Sequence, residues 1–256
     1  MPAVTLSTKV YNNSQLKLVN KTLRSMLKGL KVDTKIAGIS SLGLVEITVW
    51  GEDEKVAVRF LDEEIGLCPT SFESVEKFST VRGYVSSLKQ EELHVSIGFS
   101  SSSTIDAVIP LKRLQAQLVD GRKMALKNIA ELFGFVENSP LKVKVCRVSR
   151  GKSHVEAVLS EKQLSLYRNW TKLLLNRLVV LGESVGEITL ALRRTGSNRD
   201  VVSIESLGLF EHSIVCKLGT DAVGLIPKIG GKLWTANFSI FNPTEIMGIL
   251  GDYSMF

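Results

Sequence analysis

Three stretches in the middle of the chain, Val81-Arg-Gly-Tyr-Val-Ser-Ser87, Leu93-His-Val-Ser-Ile-Gly-Phe99 and Thr104-Ile-Asp-Ala-Val-Ile109, alternate apolar with polar or small residues. A period of two sends successive side chains to opposite faces, so each stretch reads as a half-buried β-strand. Val81, Gly83 and Val85 then share an inner face with Leu93, Val95 and Ile97, leaving Arg82, Tyr84 and Ser86 outside with His94 and Ser96. For Tyr84 to oppose His94, paired residue numbers must sum to an even value, and the connection around Lys89 must hold an odd number of residues. Downstream, Leu114 to Phe133 is mostly helical in pattern, and Leu141–Val148 and Ser153–Leu159 alternate again. Three strands, a helix and two more strands form the order of a five-stranded OB barrel.

Outward from this centre the periodicity changes. Val4–Val10 reads as a strand, Asn13-Ser14 caps a helix with Leu16, Val19, Leu23, Met26, Leu27 and Leu30 on one face, and Leu44–Trp50 returns as a strand. Gly51-Glu-Asp-Glu54 places acids where a helix N-terminus favours them, and Gly66 marks the stop. The resulting βαββα order suggests a small α+β domain of split-βαβ type. On the other side, Ser160-Glu-Lys-Gln163 and Ser184-Val-Gly-Glu187 open two helices, strands are predicted through Val201–Cys216 and Ala222–Ile226, and Asn242-Pro243 starts a short terminal helix. The expected architecture is α+β in three parts: residues 1–79, an OB-like barrel with an inserted helix at 80–160, and a helix pair plus sheet at 161–256. Two internal echoes cross these parts: Ser41-Leu-Gly-Leu-Val-Glu46 with Ser206-Leu-Gly-Leu-Phe-Glu211, and Asp106-Ala-Val-Ile-Pro110 with Asp221-Ala-Val-Gly-Leu-Ile-Pro227.

Composition limits the function classes. With 44% apolar and 23% charged residues over 256 positions, the chain has material for a folded core. The longest apolar stretch, Leu173–Leu181, is interrupted by Asn176 and Arg177 and is well short of the roughly 20 residues that span a bilayer, so no membrane association is expected. Met1–Val10 lacks a charged-then-apolar leader pattern, and Cys68, Cys146 and Cys216 lack CxxC spacing; both features point to the cytoplasm and to buried structural thiols. The formal charge of +6 is concentrated: Pro110–Glu156 holds ten Lys and Arg against four Asp and Glu, an excess equal to that of the whole chain. Such clustering is the footprint of a surface that meets phosphate.

Within that stretch, Lys142, Lys144, Arg147, Arg150 and Lys152 face a single acid, Glu156. Beside them on an OB face, Tyr84 and His94 offer flat groups for base stacking, Phe99 stands at the rim, and Arg122, Lys123 and Lys127 extend the basic area along the inserted helix. The competing reading is a solvated hairpin and helix, with Tyr84 packed at a domain junction. His94, His154 and His212 have no metal-ligand spacing, and the acidic groups Glu52-Asp53-Glu54 and Asp62-Glu63-Glu64 have no catalytic partner set, so no catalytic residue, metal or cofactor is expected. The expectation is a non-enzymatic RNA-binding protein, its RNA single-stranded or structured. The alternatives are an adaptor docking on the ribosome or RNA polymerase through Ile246–Phe256, and an enzyme acting on a nucleotide or phosphorylated substrate near Gly230-Gly231.

Gly83-x-Val85, Leu93-x-Val95-x-Ile97-Gly98, Ala107-Val-Ile-Pro110 and Leu141-Lys-Val-Lys-Val145 together resemble the ribosomal-protein S-one type of RNA-binding OB barrel. Over the whole chain, Gly51-Glu-Asp-Glu-Lys-Val-Ala57 and Cys216-Lys-Leu-Gly-Thr-Asp-Ala-Val-Gly-Leu-Ile-Pro227 resemble an archaeal family of conserved proteins of unknown function. These resemblances imply an archaeal, cytoplasmic protein acting in translation or RNA metabolism, and they supply no catalytic residues.

Overall fold

The computed structural model describes residues 3–100, 103–150 and 153–251, without the side chains of Phe99, Ser100 and Ser103. Residues 1–76 with 97–105 form one compact unit, and residues 77–96 with 106–256 form another.

In the first unit, β1 (Ala3–Lys9), α1 (Leu16–Met26), β2 (Val32–Ile39), β3 (Leu44–Gly51) and α2 (Glu54–Glu64) build an antiparallel sheet in the order β1-β3-β2. The helices bury Val19 and Leu23 of α1 and Ala57 and Leu61 of α2, and Val45, Ile47 and Val49 alternate into the core from β3. Gly66 ends α2 with φ +91°, a left-handed conformation, and its N–H donates to the Leu61 carbonyl at 3.1 Å. The chain then returns so that Leu67 makes a one-residue antiparallel bridge to Leu6 on the open edge of β1.

The middle of the chain closes into a barrel. Its strands are β4 (Thr80–Lys89), β5 (Glu92–Ser100), β6 (Ser103–Pro110), β7 (Pro140–Ser149) and β8 (His154–Leu159), in the order β4-β5-β6-β8-β7, with β6 and β8 parallel. That is the OB-like order expected from the alternation. Val85, Leu93, Val95, Ala107, Ile109, Val143, Val145, Val155 and Ala157 are buried. The single expected helix between the third and fourth strands is two, α3 (Leu111–Leu118) and α4 (Leu126–Phe133). Asp120 and Gly121, at φ +52° and +71°, turn the chain between them.

After the barrel, Ser160 accepts the Gln163 N–H and starts α5 (Glu161–Lys172). Then β9 (Arg177–Leu181), α6 (Val185–Arg194), β10 (Val201–Ser206), β11 (Glu211–Cys216), α7 (Ala222–Gly230) and β12 (Asn237–Phe241) form an antiparallel sheet in the order β10-β11-β9-β12, followed by α8 (Pro243–Leu250). This is the β-α-β-β-α-β split-βαβ arrangement, and the N-terminal module repeats it with Leu67 in place of the fourth strand. Leu178, Val180, Ile214 and Cys216 meet Ile188, Ala191, Leu192, Leu225 and Ile229 of α6 and α7 on one face of the sheet. Burial pushes the Cys216 thiol up to about 11, with Asp221 and Asp200 adding to the shift. Cys146, expected to be buried, is partly exposed.

Ala222–Ile226 was expected as a strand and is helical. Asp221 caps it by accepting from Val223 N, and Ala222, Leu225 and Ile229 recur at helical spacing on the buried side. The sequence reading also passed over β9 and β12. Every residue of β9 is buried, so neither alternation nor helical period marks it. Phe133, Phe135, Tyr167, Trp170 and Phe241 join α4, α5 and β12 through edge and stacked contacts, with Phe133 and Tyr167 centroids 5.4 Å apart and those of Trp170 and Phe241 5.1 Å apart.

Candidate nucleic-acid interface

Strand β7 carries the basic track. Leu141, Val143 and Val145 point into the barrel, so Lys142 and Lys144 stand outside and exposed. Strict alternation would send Arg147 inward, but the register slips at Cys146: Val145 faces Ala157 and Arg147 faces Glu156. This bulge adds one residue and turns Arg147 outward, beside the acid expected to face the group. Arg150 is exposed at the end of the strand. Lys152 lies outside the described residues.

The aromatic half of the expected face is different. Tyr84 pairs with Ser96, and His94 with Ser87, because β4 has a bulge between Val85 and Ser87 and a two-residue connection after Lys89. Tyr84 is 4% exposed, with the Arg82 guanidinium 5.8 Å from its ring centroid. Alternation assigned it to the outer face, yet that face is covered here, and Arg82 reaches across to the Leu207 carbonyl at 2.8 Å and to Glu211 at 3.4 Å. The His94 side chain is 12% exposed, with Nε2 3.3 Å from a Glu92 carboxylate oxygen. Neither ring offers a free flat surface to a base. The Phe99 side chain lies outside those described.

The basic residues of the insertion stand apart from β7 in their contacts. Arg122 donates to the Ile249 and Leu250 carbonyls, the latter at 2.8 Å, and so caps the C-terminal end of α8. Lys123 is exposed, and Lys127 lies 3.9 Å from Glu131 one turn along α4. Lys127 also borders an apolar cavity of about 720 Å³ whose walls include Leu126, Phe135 and Ile240.

A second cationic group, absent from the sequence reading, adjoins the track. Arg82 on β4 pairs in register with Lys142 on β7, and both line a cavity of about 200 Å³ with Lys162 from the first turn of α5. Burial, followed by the Arg82 and Lys162 charges, holds the Lys142 ammonium below the usual lysine range. The lining also includes Phe133, Leu166, Tyr167, Trp170 and Leu207. Burial also raises the Tyr167 phenol far above its ordinary value, against a hydrogen bond from Gln163 that lowers it. The OB order, which sets the first strand beside the fourth, could have placed Arg82 next to Lys142. Lys162 has no such signal, because its position follows from α5 docking on β7, where Lys142 N donates to Gln163 Oε1 at 3.0 Å.

Among the described residues, no group of three His, Cys, Asp or Glu side chains could hold a metal ion, and no helix is long and apolar enough to cross a membrane. The DUF2110 N-terminal domain matches residues 3–71, the DUF2110 central domain residues 75–171, and the DUF2110 C-terminal domain residues 175–241. The chain belongs to the DUF2110 family. No curated protein sequence matches it. Among solved structures, an uncharacterized protein of Methanocaldococcus jannaschii is similar at 10% identity and a TM-score of 0.25, over 34% of this chain and 96% of that one. The intact alpha subunit of aIF2 from Pyrococcus abyssi is similar at 11% identity and a TM-score of 0.27, over 66% and 97%. A chain of the a/eIF2alpha-aDim2p-rRNA complex from Pyrococcus horikoshii OT3 is similar at 12% identity and 0.26, over 48% and 64%. The family's central domain spans the barrel and α5, and its C-terminal domain runs from just before β9 to the end of β12.

Proposed function

We propose that this protein is a cytoplasmic RNA-binding protein, not an enzyme, that engages the phosphate backbone along β7 and serves archaeal translation or RNA metabolism. The observation carrying this reading is the row of exposed cations Lys142, Lys144 and Arg147 on β7, continued by Arg150 just past its end, with Glu156 opposite Arg147. Spaced along an extended strand, they track a backbone rather than a point charge. With Tyr84 buried and His94 nearly so, recognition rests on charge and is tolerant of sequence.

Four phosphate contacts at about −0.7 each predict log K for single-stranded RNA falling against log salt with a slope of about −3. Replacing Lys142, Lys144, Arg147 and Arg150 by Ala should weaken every sequence alike and flatten that slope. Unchanged affinity in the fourfold variant, measured by fluorescence anisotropy, would overturn the reading. A second reading, a protein adaptor docking on the ribosome or RNA polymerase, is favoured by the apolar cavity of about 720 Å³ around Leu126, Phe135 and Ile240. A capture that survives nuclease and is lost on Ala130→Arg, at the cavity wall, would support it.

A further inference from the structure

The cavity beside Lys142 is chemically unlike the open track. Its cations come from three elements, β4, β7 and the start of α5. Glu211 offsets Arg82, but among the described residues no carboxylate lies within ion-pair distance of Lys142 or Lys162; the nearby Glu161 answers Arg168 at 3.8 Å. The amino-terminal pole of the twelve-residue α5 adds positive potential on the same side. Two uncompensated ammonium groups suit a phosphomonoester, which carries about −1.5 to −2 at neutral pH, better than a singly charged diester.

The remaining lining mixes the polar Ser139, Gln163 and Ser206 with aromatic and aliphatic residues, and the Trp170 Nε1 donor is buried with no hydrogen-bond partner. At about 200 Å³ the space is smaller than the roughly 300–1,000 Å³ of pockets for larger ligands, and suits a small group such as a terminal phosphate. We infer that the cavity takes the phosphate of a nucleoside monophosphate moiety, held on Lys142, Lys162 and Arg82. The moiety can come from a phosphorylated strand end or from a free mononucleotide. The first source rests on the RNA-binding reading, and the second is independent of it.

The test uses the full chain with adenosine, AMP, and one short single-stranded RNA bearing a 5′-phosphate, a 3′-phosphate or only hydroxyl ends. Charge-assisted contacts predict that AMP binds about tenfold or more tighter than adenosine, and that a terminal phosphate tightens the RNA by a similar factor. Lys162→Ala, at an exposed position, should erase both differences and leave the hydroxyl-ended RNA unaffected. A larger gain for the phosphorylated RNA than for AMP identifies a strand end, and the reverse identifies a free nucleotide. No preference for phosphate in either series, or a preference that Lys162→Ala leaves intact, overturns the cavity assignment while the track along β7 stands. AMP binding that Lys162→Ala abolishes, with no RNA bound at low salt, keeps the cavity and removes the track.

Discussion

The two split-βαβ modules pass through the same elements in the same spatial order, yet they use the second face of the sheet differently. In β3, Val45, Ile47 and Val49 are buried while Glu46, Thr48 and Trp50 remain partly exposed; in β11 all six residues are buried. The β2–β3 turn closes with Ser40 N donating to Leu44 O, and the β10–β11 turn with Leu207 N donating to Glu211 O. Matched at these closures, Glu211 occupies the rung of Leu44 and His212 the rung of Val45. The Ser-Leu-Gly-Leu echo is therefore two residues out of step with the turns. The other echo fails in conformation, since Asp106–Pro110 is strand and Asp221–Pro227 is mostly helix. A sheet covered on both faces can hold charge only where partners are supplied. Here Arg82 meets Glu211, and the fully buried Arg177 meets Glu205 at 2.6 Å, with its guanidinium 4.7 Å from the Trp170 ring centroid.

The strongest way to break the contrast is to write the N-terminal residue into the C-terminal rung. Glu211→Leu leaves Arg82, whose side chain is 15% exposed, without its carboxylate, and should cost about 3–5 kcal/mol in denaturant unfolding. Adding Arg82→Met should restore most of that loss, because removing both members of a buried pair is far milder than removing one. A double variant as unstable as the single would show that something other than the ion pair separates the modules.

The same contrast explains what the sequence revealed. The barrel was legible because apolar residues alternate with polar or small ones in Val81–Ser87, Leu93–Gly98 and Leu141–Val145, so period two appears in the letters even where, as at Tyr84 and Ser96, both faces are covered. The N-terminal module was legible for the same reason. In β9, with both faces buried, the pattern vanished, and the apolar run after Asp221 read as strand because Leu225 and Ile229 report a helix only once the cap is recognised. At the candidate site, alternation found Lys142 and Lys144 directly. Arg147 reached the surface through a bulge, which no local pattern announces. Tyr84 shows the limit most plainly: alternation gives the side of the strand a residue leaves from, and packing decides whether that side meets water. Arg82 and Lys162 join Lys142 only through strand order and helix docking, which are properties of the assembled chain.

A smaller effect separates the two turn glycines. At Gly43, φ is +80° and a Cβ would strike the Val10 carbonyl, so the backbone itself demands glycine. At Gly208 the backbone makes no such demand, and a Cβ would instead collide with the Glu211 carboxylate and the Arg82 guanidinium. Each Gly→Ala change should cost about 1–3 kcal/mol. Their couplings should differ: Gly208→Ala with Glu211→Leu should cost less than the sum, and Gly43→Ala with Glu211→Leu should simply add. Additivity in both cycles would mean that Gly208 is required by its backbone as Gly43 is.

The subtlest difference lies at the Val45 and His212 rungs, and it is a dependence on pH. His212 is 3% exposed, and burial lowers its pKa from 6.5, outweighing the opposite pull of the Leu209 backbone. The folded imidazole therefore stays neutral while the unfolded one gains a proton, so stability present above about pH 6.5 is lost as the pH falls through that value toward the lowered folded pKa. His212→Val copies the N-terminal rung and removes this linkage. Melting temperatures followed from about pH 7.5 to 5 should then fall less steeply than in the unaltered chain, whatever offset the change in side-chain volume adds at the upper end. An identical acid slope would show that His212 is not the source of the pH dependence, and would leave the two modules distinguished by ion pairing alone.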